Sequence, residues 1–276
     1  MPELPEVEHV VRALRRAVSR RRIIAVDVNL PRVLAGISPA SFKRKLRGVR
    51  IEAINRRGKY ILIELDSHDV LVVHLRMTGK FVCLNQDHPF PPYPHVVFYL
   101  DDERRLVFCD MRQFGRMRLV AGTKLSALPQ IEALAPEPLT NDFTLDYFLQ
   151  TLSKSRRSLK QLLLDQTRIL GLGNIYASEA LFLAGVDPRK AAHSLSKARA
   201  MRLHRSIREV LQEAIDAGST LRIDLTDGNG SYFGTTERFW RVYERAGESC
   251  VKCGALIRRI VQGGRSSYYC PKCQRR

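Results

Sequence analysis

Two groups of residues have the types and spacing to do chemistry, and they lie at opposite ends of the chain. Cys250-Val-Lys-Cys253 and Cys270-Pro-Lys-Cys273 crowd four thiols near the C-terminus, with residues 254–269 between the inner pair. Two such knuckles joined by a span long enough for a small β-hairpin fit one tetrahedral zinc ion, a structural site with no open position. Lys252, Arg258, Arg259, Arg265 and Lys272 surround the thiols, so the hairpin would offer a basic surface to a polyanion. At the other end the chain reads Met-Pro-Glu-Leu-Pro-Glu. Loss of Met1, common before a small residue, would leave Pro2 as a terminal secondary amine. Such an α-amino group titrates near about 8, so much of it is unprotonated at neutral pH. It could form an iminium with a sugar carbon, and Glu3 or Glu6 could deliver a proton to a leaving group or ring oxygen. The competing reading is structural: the prolines stiffen a helix start and the glutamates favour its positive end. On the residues alone, the structural reading comes first.

Other candidates lie between these ends. Arg57-Gly-Lys59 is a basic turn entering a strand, able to reach phosphate or serve as a second amine, although a solvated turn lysine is the plainer reading. His74-Leu-Arg-Met77 ends a strand, and Arg112 and Phe114 lie in Asp-Met-Arg-Gln-Phe-Gly115. A methionine, an arginine and a phenylalanine on neighbouring loops are what insertion into a base stack requires, with core packing the alternative for Met77 and Phe114. Gly171-Leu-Gly-Asn174 separates two helical patterns. Its glycines allow a tight corner whose amides could receive a phosphate, with Asn174 adding a donor. Lys160 gains weight only if it points at the same phosphate.

These residues need elements to hold them. Residues 3–18 carry Val7, Val10, Val11, Leu14 and Val18 at the helical period, with Arg12, Arg15 and Arg16 outward. From 23 to about 120 the pattern changes to strands, clearest at Lys59–Leu65, Val70–Leu75, Val96–Leu100 and Arg105–Asp110, with another near Met117–Val120. Antiparallel strands at this density predict a sandwich or barrel, and no βαβ rhythm suggests a nucleotide-binding α/β enzyme. Residues 126–141 carry three prolines and read as an interdomain linker. Helical patterns follow, including a long helix that Ser196 can cap and Gly218 can end, then a Gly-rich loop at 227–230. The reading is therefore α+β: an N-terminal helix and β-sandwich over 2–125, a helical domain with its following loop over 142–230, and the zinc hairpin region over 231–276.

The chain has 46 basic and 28 acidic residues among 276, a formal charge of +18, which makes nucleic acid the leading partner. No apolar run is long enough to span a bilayer, and the start lacks the features of a signal peptide. Cys83 and Cys109 are the only cysteines outside the tail, a usage that suits a reducing cytoplasm.

Taken together, the motifs resemble those of the bacterial formamidopyrimidine-DNA glycosylases, a family shared with endonuclease VIII. The resemblance runs from Pro2-Glu-Leu-Pro-Glu-Val-Glu8 through Arg57-Gly-Lys-Tyr60, His74-Leu-Arg-Met-Thr-Gly79 and Arg112-Gln-Phe-Gly115. It continues through Lys160–Gln166 and Gly171–Tyr176 to Cys270-Pro-Lys-Cys-Gln274, in the family's order and over the whole length. It implies a bifunctional glycosylase and AP lyase acting as a monomer on damaged duplex DNA, removing formamidopyrimidines and 8-oxoguanine. By the same resemblance Pro2 is the nucleophile, Glu3 assists ring opening and proton transfer, Glu6 supports the pocket, and Lys59 contacts phosphate near the lesion. Met77, Arg112 and Phe114 match the void-filling and wedging residues. Lys160 and Asn174 match the phosphate-gripping residues of a helix–two-turn–helix, and Arg265 matches the arginine of the zinc hairpin. His74 is placed with the DNA-binding set, and a single structural zinc is implied at the four cysteines.

Two positions depart from the family pattern: Val-Tyr-Gly-Arg reads Val242-Tyr-Glu-Arg245, and Arg-Arg-Phe-Gly reads Arg112-Gln-Phe-Gly115. Residues 220–238 match the loop that often encloses an oxidised purine, but only loosely. An endonuclease VIII-like enzyme for oxidised pyrimidines and a non-catalytic DNA-bending protein are the alternatives.

Overall fold

The computed structural model describes residues 2–217 and 240–275. Within these, residues 2–132 form one compact unit, and 133–217 with 240–275 form a second. The segment 220–238, the loop at 227–230 and Gly218 lie outside the described residues.

In the first unit, α1 (Leu4–Val18) buries Val7, Val10, Val11, Leu14 and Val18 along one stripe, as the helical period predicts. Its outward arginines also anchor it: Arg15 Nε donates to the Ile54 carbonyl at 2.5 Å and its Nη2 to Asn55 Oδ1 at 2.9 Å. The helix packs on a β-sandwich of two four-stranded sheets. One sheet orders β1 (Ile23–Val28), β6 (Pro94–Leu100), β7 (Arg104–Asp110) and β5 (Gly79–Asn85). The other orders β2 (Ile51–Arg57), β3 (Tyr60–Leu65), β4 (Asp69–His74) and β8 (Arg116–Ala121). Every pairing is antiparallel. Strand β3 alternates strictly, burying Ile61, Ile63 and Leu65, which is the period-2 signature of a half-buried strand. Strand β7 is buried on both faces. Leu106 and Phe108 join the main core, while Val107 and Cys109 pack with Val82, Leu84 and Val97 behind it.

A second helix, α2 (Pro39–Leu46), closes the core with Phe42 and Leu46. With two apolar residues its periodicity is too faint to read, but Ser38 followed by Pro39 is a helix-start signal. Ser38 Oγ does accept the Ser41 amide. The proline-rich stretch after β8 is anchored too: α3 (Pro129–Glu132) lies within it, and Leu128 and Ala135 are buried.

The second unit is helical: α4 (Leu145–Ser153), α5 (Leu159–Leu163), α6 (Asn174–Leu183) and α7 (Lys197–Ala217). Thr144 and Ser158 cap α4 and α5 through their hydroxyls. Helix α6 is buried on all sides, from Tyr176 to Phe182, and α7 turns Leu203, Ile207, Val210 and Leu211 inward. Strands β9 (Arg258–Gln262) and β10 (Arg265–Tyr269) form the C-terminal hairpin. It packs on α6 through Phe182, Val242 and Ile257.

Candidate active site and nucleic-acid interface

The start of α1 combines both readings of its glutamates. Glu3 occupies the N-cap position, and the Glu6 carboxylate accepts the Glu3 amide at 2.9 Å, completing a capping box. This bond fixes the backbone next to Pro2. Pro2 is buried and Glu3 is 2% exposed, so a carboxylate sits out of bulk water beside Pro2.

Lys59 is brought to this unit by the β2–β3 hairpin. Arg57 pairs with Tyr60, leaving a two-residue turn of Gly58 and Lys59, and Gly58 takes φ +56°. A positive φ at the first central residue suits glycine and matches the twist of a hairpin. Lys59 is 5% exposed, far from a solvated turn lysine. The hairpin is tied to α1 by an unforeseen pair: Arg56 Nε donates to Glu8 Oε2 at 3.0 Å, and Arg56 Nη1 reaches the Gly58 carbonyl at 3.2 Å. Burial pushes the Glu8 carboxyl up, but hydrogen bonds and charge from Arg56 and Arg12 outweigh it and hold the group below its usual range. Helix α1 and the Lys59 turn are thus clamped together by an ionised carboxylate.

His74 ends β4 opposite Tyr60, ring centroids 4.8 Å apart and edge to face. Its Nδ1 accepts the Arg76 amide at 2.9 Å, which leaves Nε2 as the N–H donor of a neutral ring. Burial first, then the charges of Arg76 and Lys59, push its pKa down to about 3. The folded ring therefore stays unprotonated while an unfolded one, near about 6.5, takes up a proton. In the window between those values the unfolded state binds more protons, so stability falls as pH falls. We expect His74→Gln to flatten that loss when urea midpoints near about pH 7 and about pH 4.5 are compared; an unaltered difference would refute it.

Met77, Arg112 and Phe114 occupy two neighbouring loops of the same unit. Met77 is 38% and Phe114 49% exposed, neither of them core, and the Arg112 guanidinium lies 5.0 Å from the Phe114 ring centroid. Gln113 between them takes φ +59°, a left-handed conformation that costs a side-chain-bearing residue about 1 kcal/mol.

In the second unit, Lys160 is turned inward. It is 1% exposed, and its Nζ donates to the Asn174 carbonyl at 2.7 Å and to Ser178 Oγ at 2.6 Å. The ammonium therefore holds the first turn of α6 instead of standing in solvent. Asn174 opens α6 behind Gly173, an N-cap without a side chain, and its Oδ1 is buried with no hydrogen-bond partner among the described residues. Gln166 shapes the corner, accepting the Gly171 amide at 3.0 Å and donating to the Leu172 carbonyl at 2.9 Å. Arg265 starts β10, exposed, after a Gly263-Gly264 turn with φ +55° and +73°. Its strand partner Gln262 reaches Ser158 Oγ at 3.2 Å, which seats the hairpin on the α5 N-terminus.

The four sulfurs of Cys250, Cys253, Cys270 and Cys273 lie within 4.8 Å of one another. Two of the separations are 3.9 Å and 3.5 Å, against about 3.8 Å for an edge of a tetrahedron with Zn–S near about 2.3 Å. The Lys252 and Cys273 amides point at Cys250 and Cys270 sulfurs at 3.4 Å each. The donor set is that of a single structural zinc site. Buried Glu179, absent from the sequence reading, fixes the approach to it by accepting the amides of Arg241, Val242 and Tyr243 at 2.9, 2.9 and 3.0 Å. The clue was an acid inside an otherwise apolar helix. Glu244, next along, takes φ +59°, which explains why glycine suits that position.

Sequence and structure comparisons agree on what these sites belong to. The formamidopyrimidine-DNA glycosylase N-terminal domain matches residues 1–117, and that family's helix–two-turn–helix domain matches 134–224. A zinc finger found in these glycosylases and in isoleucyl-tRNA synthetases matches 247–276. A formamidopyrimidine-DNA glycosylase from Pelotomaculum thermopropionicum is 45% identical over 276 residues, covering 100% of this chain and 99% of the relative. A Lactococcus lactis enzyme crystallised with abasic-site DNA superposes with a TM-score of 0.91 at 35% identity, over 99% of this chain and 100% of that one. A MutM structure in complex with DNA containing carbocyclic 8-oxoguanine gives a TM-score of 0.90 at 35% identity, with both chains covered in full. The chain belongs to the formamidopyrimidine-DNA glycosylase family.

Proposed function

We propose that the protein is a bifunctional DNA glycosylase and AP lyase that excises oxidised purines, formamidopyrimidines and 8-oxoguanine, from duplex DNA, with Pro2 as nucleophile. The observation that carries this reading is the start of α1, where buried Pro2 and Glu3 are held by the Glu6 capping bond. The same helix is tied through Glu8 and Arg56 to the turn that presents Lys59.

The chemistry follows from these groups. The Pro2 amine attacks C1′ of an everted nucleotide, the glycosidic bond breaks, and the base leaves with a proton. Glu3, beside the amine, is the group that assists ring opening and moves that proton. The resulting iminium acidifies C2′, so proton loss expels the 3′ phosphate and a second elimination expels the 5′ phosphate. Glu6 acts by fixing the Glu3 backbone, because its carboxylate is engaged there. Carboxylates and substrate phosphates both favour the protonated amine, and the Lys59 charge opposes them. His74 Nε2–H, Asn174 and Arg265 are donors suited to phosphate, and Lys160 supports Asn174 from beneath. Met77, Arg112 and Phe114 offset the few kcal/mol of unstacking. Zinc, when bound, cross-links the hairpin and supplies no chemistry to the reaction. A DNA repair enzyme of this kind works in the cytoplasm on the nucleoid, and among the described residues no helix is long and apolar enough to cross a membrane.

Single-turnover cleavage of duplexes carrying 8-oxoguanine, a formamidopyrimidine, an oxidised pyrimidine or an abasic site tests the reading. Both oxidised purines should be released at least about tenfold faster than the pyrimidine, leaving phosphates on both sides of the gap. A pyrimidine preference would transfer the protein to the endonuclease VIII-like alternative, and binding without cleavage would make it a damage sensor.

A further inference from the structure

The two loops that carry Met77 and Arg112–Phe114 share a single buried carboxylate. Asp110 is the last residue of β7 and is 1% exposed. Its Oδ1 accepts from the Thr78 hydroxyl and from the Arg112 amide, the latter at 3.2 Å, and its Oδ2 accepts the Gly115 amide at 2.7 Å. Its backbone carbonyl meets His95 Nε2 at 2.7 Å and accepts the Gln113 amide at 3.1 Å. Thr78 follows Met77 directly, while Arg112 and Gly115 bracket Phe114. One side chain therefore fixes the backbone on both flanks of the wedge.

The backbone is shaped for this carboxylate. Gly79 pairs with Asp110 across β5 and β7 and closes its loop by donating to the Leu75 carbonyl at 3.0 Å. A Cβ at Gly79 would lie 2.4 Å from that carbonyl oxygen. A Cβ at Gly115 would lie 2.5 Å from the Phe108 ring and 3.1 Å from Asp110 Oδ2. Both glycines are buried and needed for the close approach.

We infer that Asp110 is a positioning residue that locks the two loops into one rigid wedge, so that base extrusion depends on it and the lyase chemistry does not. The inference rests on the proposed wedging role of Met77, Arg112 and Phe114. A carboxylate serves both loops at once: Oδ2 takes the Gly115 amide, while Oδ1 takes the Thr78 hydroxyl and shares the Arg112 amide with Thr78 Oγ, 3.1 Å from that nitrogen. An amide in its place presents N–H₂ on one side, which leaves a donor facing either Gly115 or the Thr78–Arg112 side and frees that loop.

The test compares D110N, T78V and T78S with the parent protein on three duplexes. These carry 8-oxoguanine opposite cytosine, 8-oxoguanine opposite an abasic gap, or an abasic site alone, with 2-aminopurine beside the lesion to report unstacking by fluorescence. D110N and T78V should slow the fluorescence change and single-turnover excision of the paired lesion by about 10- to 100-fold. T78S, which restores the hydroxyl, should return both toward the parent rate. Rates on the gap-paired lesion and borohydride trapping on the abasic site should change less than about threefold, because little unstacking is needed there. A loss of equal size on all three duplexes would overturn the inference, as would a normal fluorescence change in both D110N and T78V. If D110N fails to fold, by its urea midpoint, T78V and T78S decide the matter alone. F114A is the control for the underlying reading: an unchanged fluorescence response in F114A overturns the wedge itself, whatever Asp110 does.

Discussion

Pro2→Gly should lower single-turnover excision of 8-oxoguanine by about 10²-fold or more while leaving duplex affinity within about threefold. Glycine keeps a terminal amine, so the variant removes placement and not the functional group. The pyrrolidine ring fixes the nitrogen relative to the helix start, and Pro2 is buried against it. A freely rotating glycine amine loses that alignment, and displacement of a reacting atom by about 1 Å costs on this order. A second form, in which the Pro2 nitrogen remains in a peptide bond, carries no nucleophile at all. It should abolish borohydride trapping, a loss of more than about 10³-fold. The pair of variants separates placement from chemistry, read by quenched-flow excision and by trapping on the same duplex. Equal excision by all three forms would place the nucleophile elsewhere.

Removing zinc should weaken duplex binding by about 10- to 100-fold and reduce its salt dependence, without unfolding residues 2–132. The C-terminal hairpin has little core of its own. Val251, Leu256 and Val261 are 62%, 61% and 66% exposed, and the buried apolar set there is chiefly Ile257, Tyr269, Cys250 and Cys270. An isolated two-stranded hairpin of this kind is marginal, so the metal supplies most of its order. Without metal the four thiols do not share one state: the Ala255 amide and neighbouring thiols draw Cys253 down to about 7, while burial and then the neighbouring thiols push Cys273 up to about 12. Once the hairpin is released, exposed Arg265 is no longer fixed by Gln262 and the Gly263-Gly264 turn. Fluorescence anisotropy on duplex DNA, with and without a zinc chelator, measures the loss. Thermal unfolding by near-ultraviolet circular dichroism should retain the transition of the β-sandwich. Undiminished affinity after chelation, or after joint replacement of Cys250 and Cys253, would contradict this role.

Local signals made part of this molecule legible. The apolar stripe of α1, the alternation of β3 and the paired Cys-x-x-Cys knuckles each encode their own structure within a few residues. Helix α2 escaped because Phe42 and Leu46 alone make no period, although Ser38-Pro39 marked its start. The ambiguity at Glu3 and Glu6 was real in physical terms, since the pair caps a helix directly after the residue proposed as nucleophile. Lys160 showed the opposite failure. Its motif was readable, but only the fold reveals that the ammonium turns under Asn174 and Ser178. Asp110, Glu8 and Glu179 were invisible for a common reason. Asp110 and Glu8 also have near neighbours in Arg112, Gly115 and Arg12, but the partners that give each its role lie 32, 48 and 62 to 64 positions away, beyond any local pattern. The departures at Gln113 and Glu244 became interpretable once both were found at positive φ.

The proposed reaction turns on one covalent bond, tested most directly by peptide mapping of the borohydride-trapped complex with 8-oxoguanine duplex DNA. Mass spectrometry of the digested adduct should find the reduced sugar remnant on the peptide that begins at Pro2, attached to its nitrogen. An adduct on the peptide containing Lys59, or no adduct from protein verified to begin at Pro2, would contradict it.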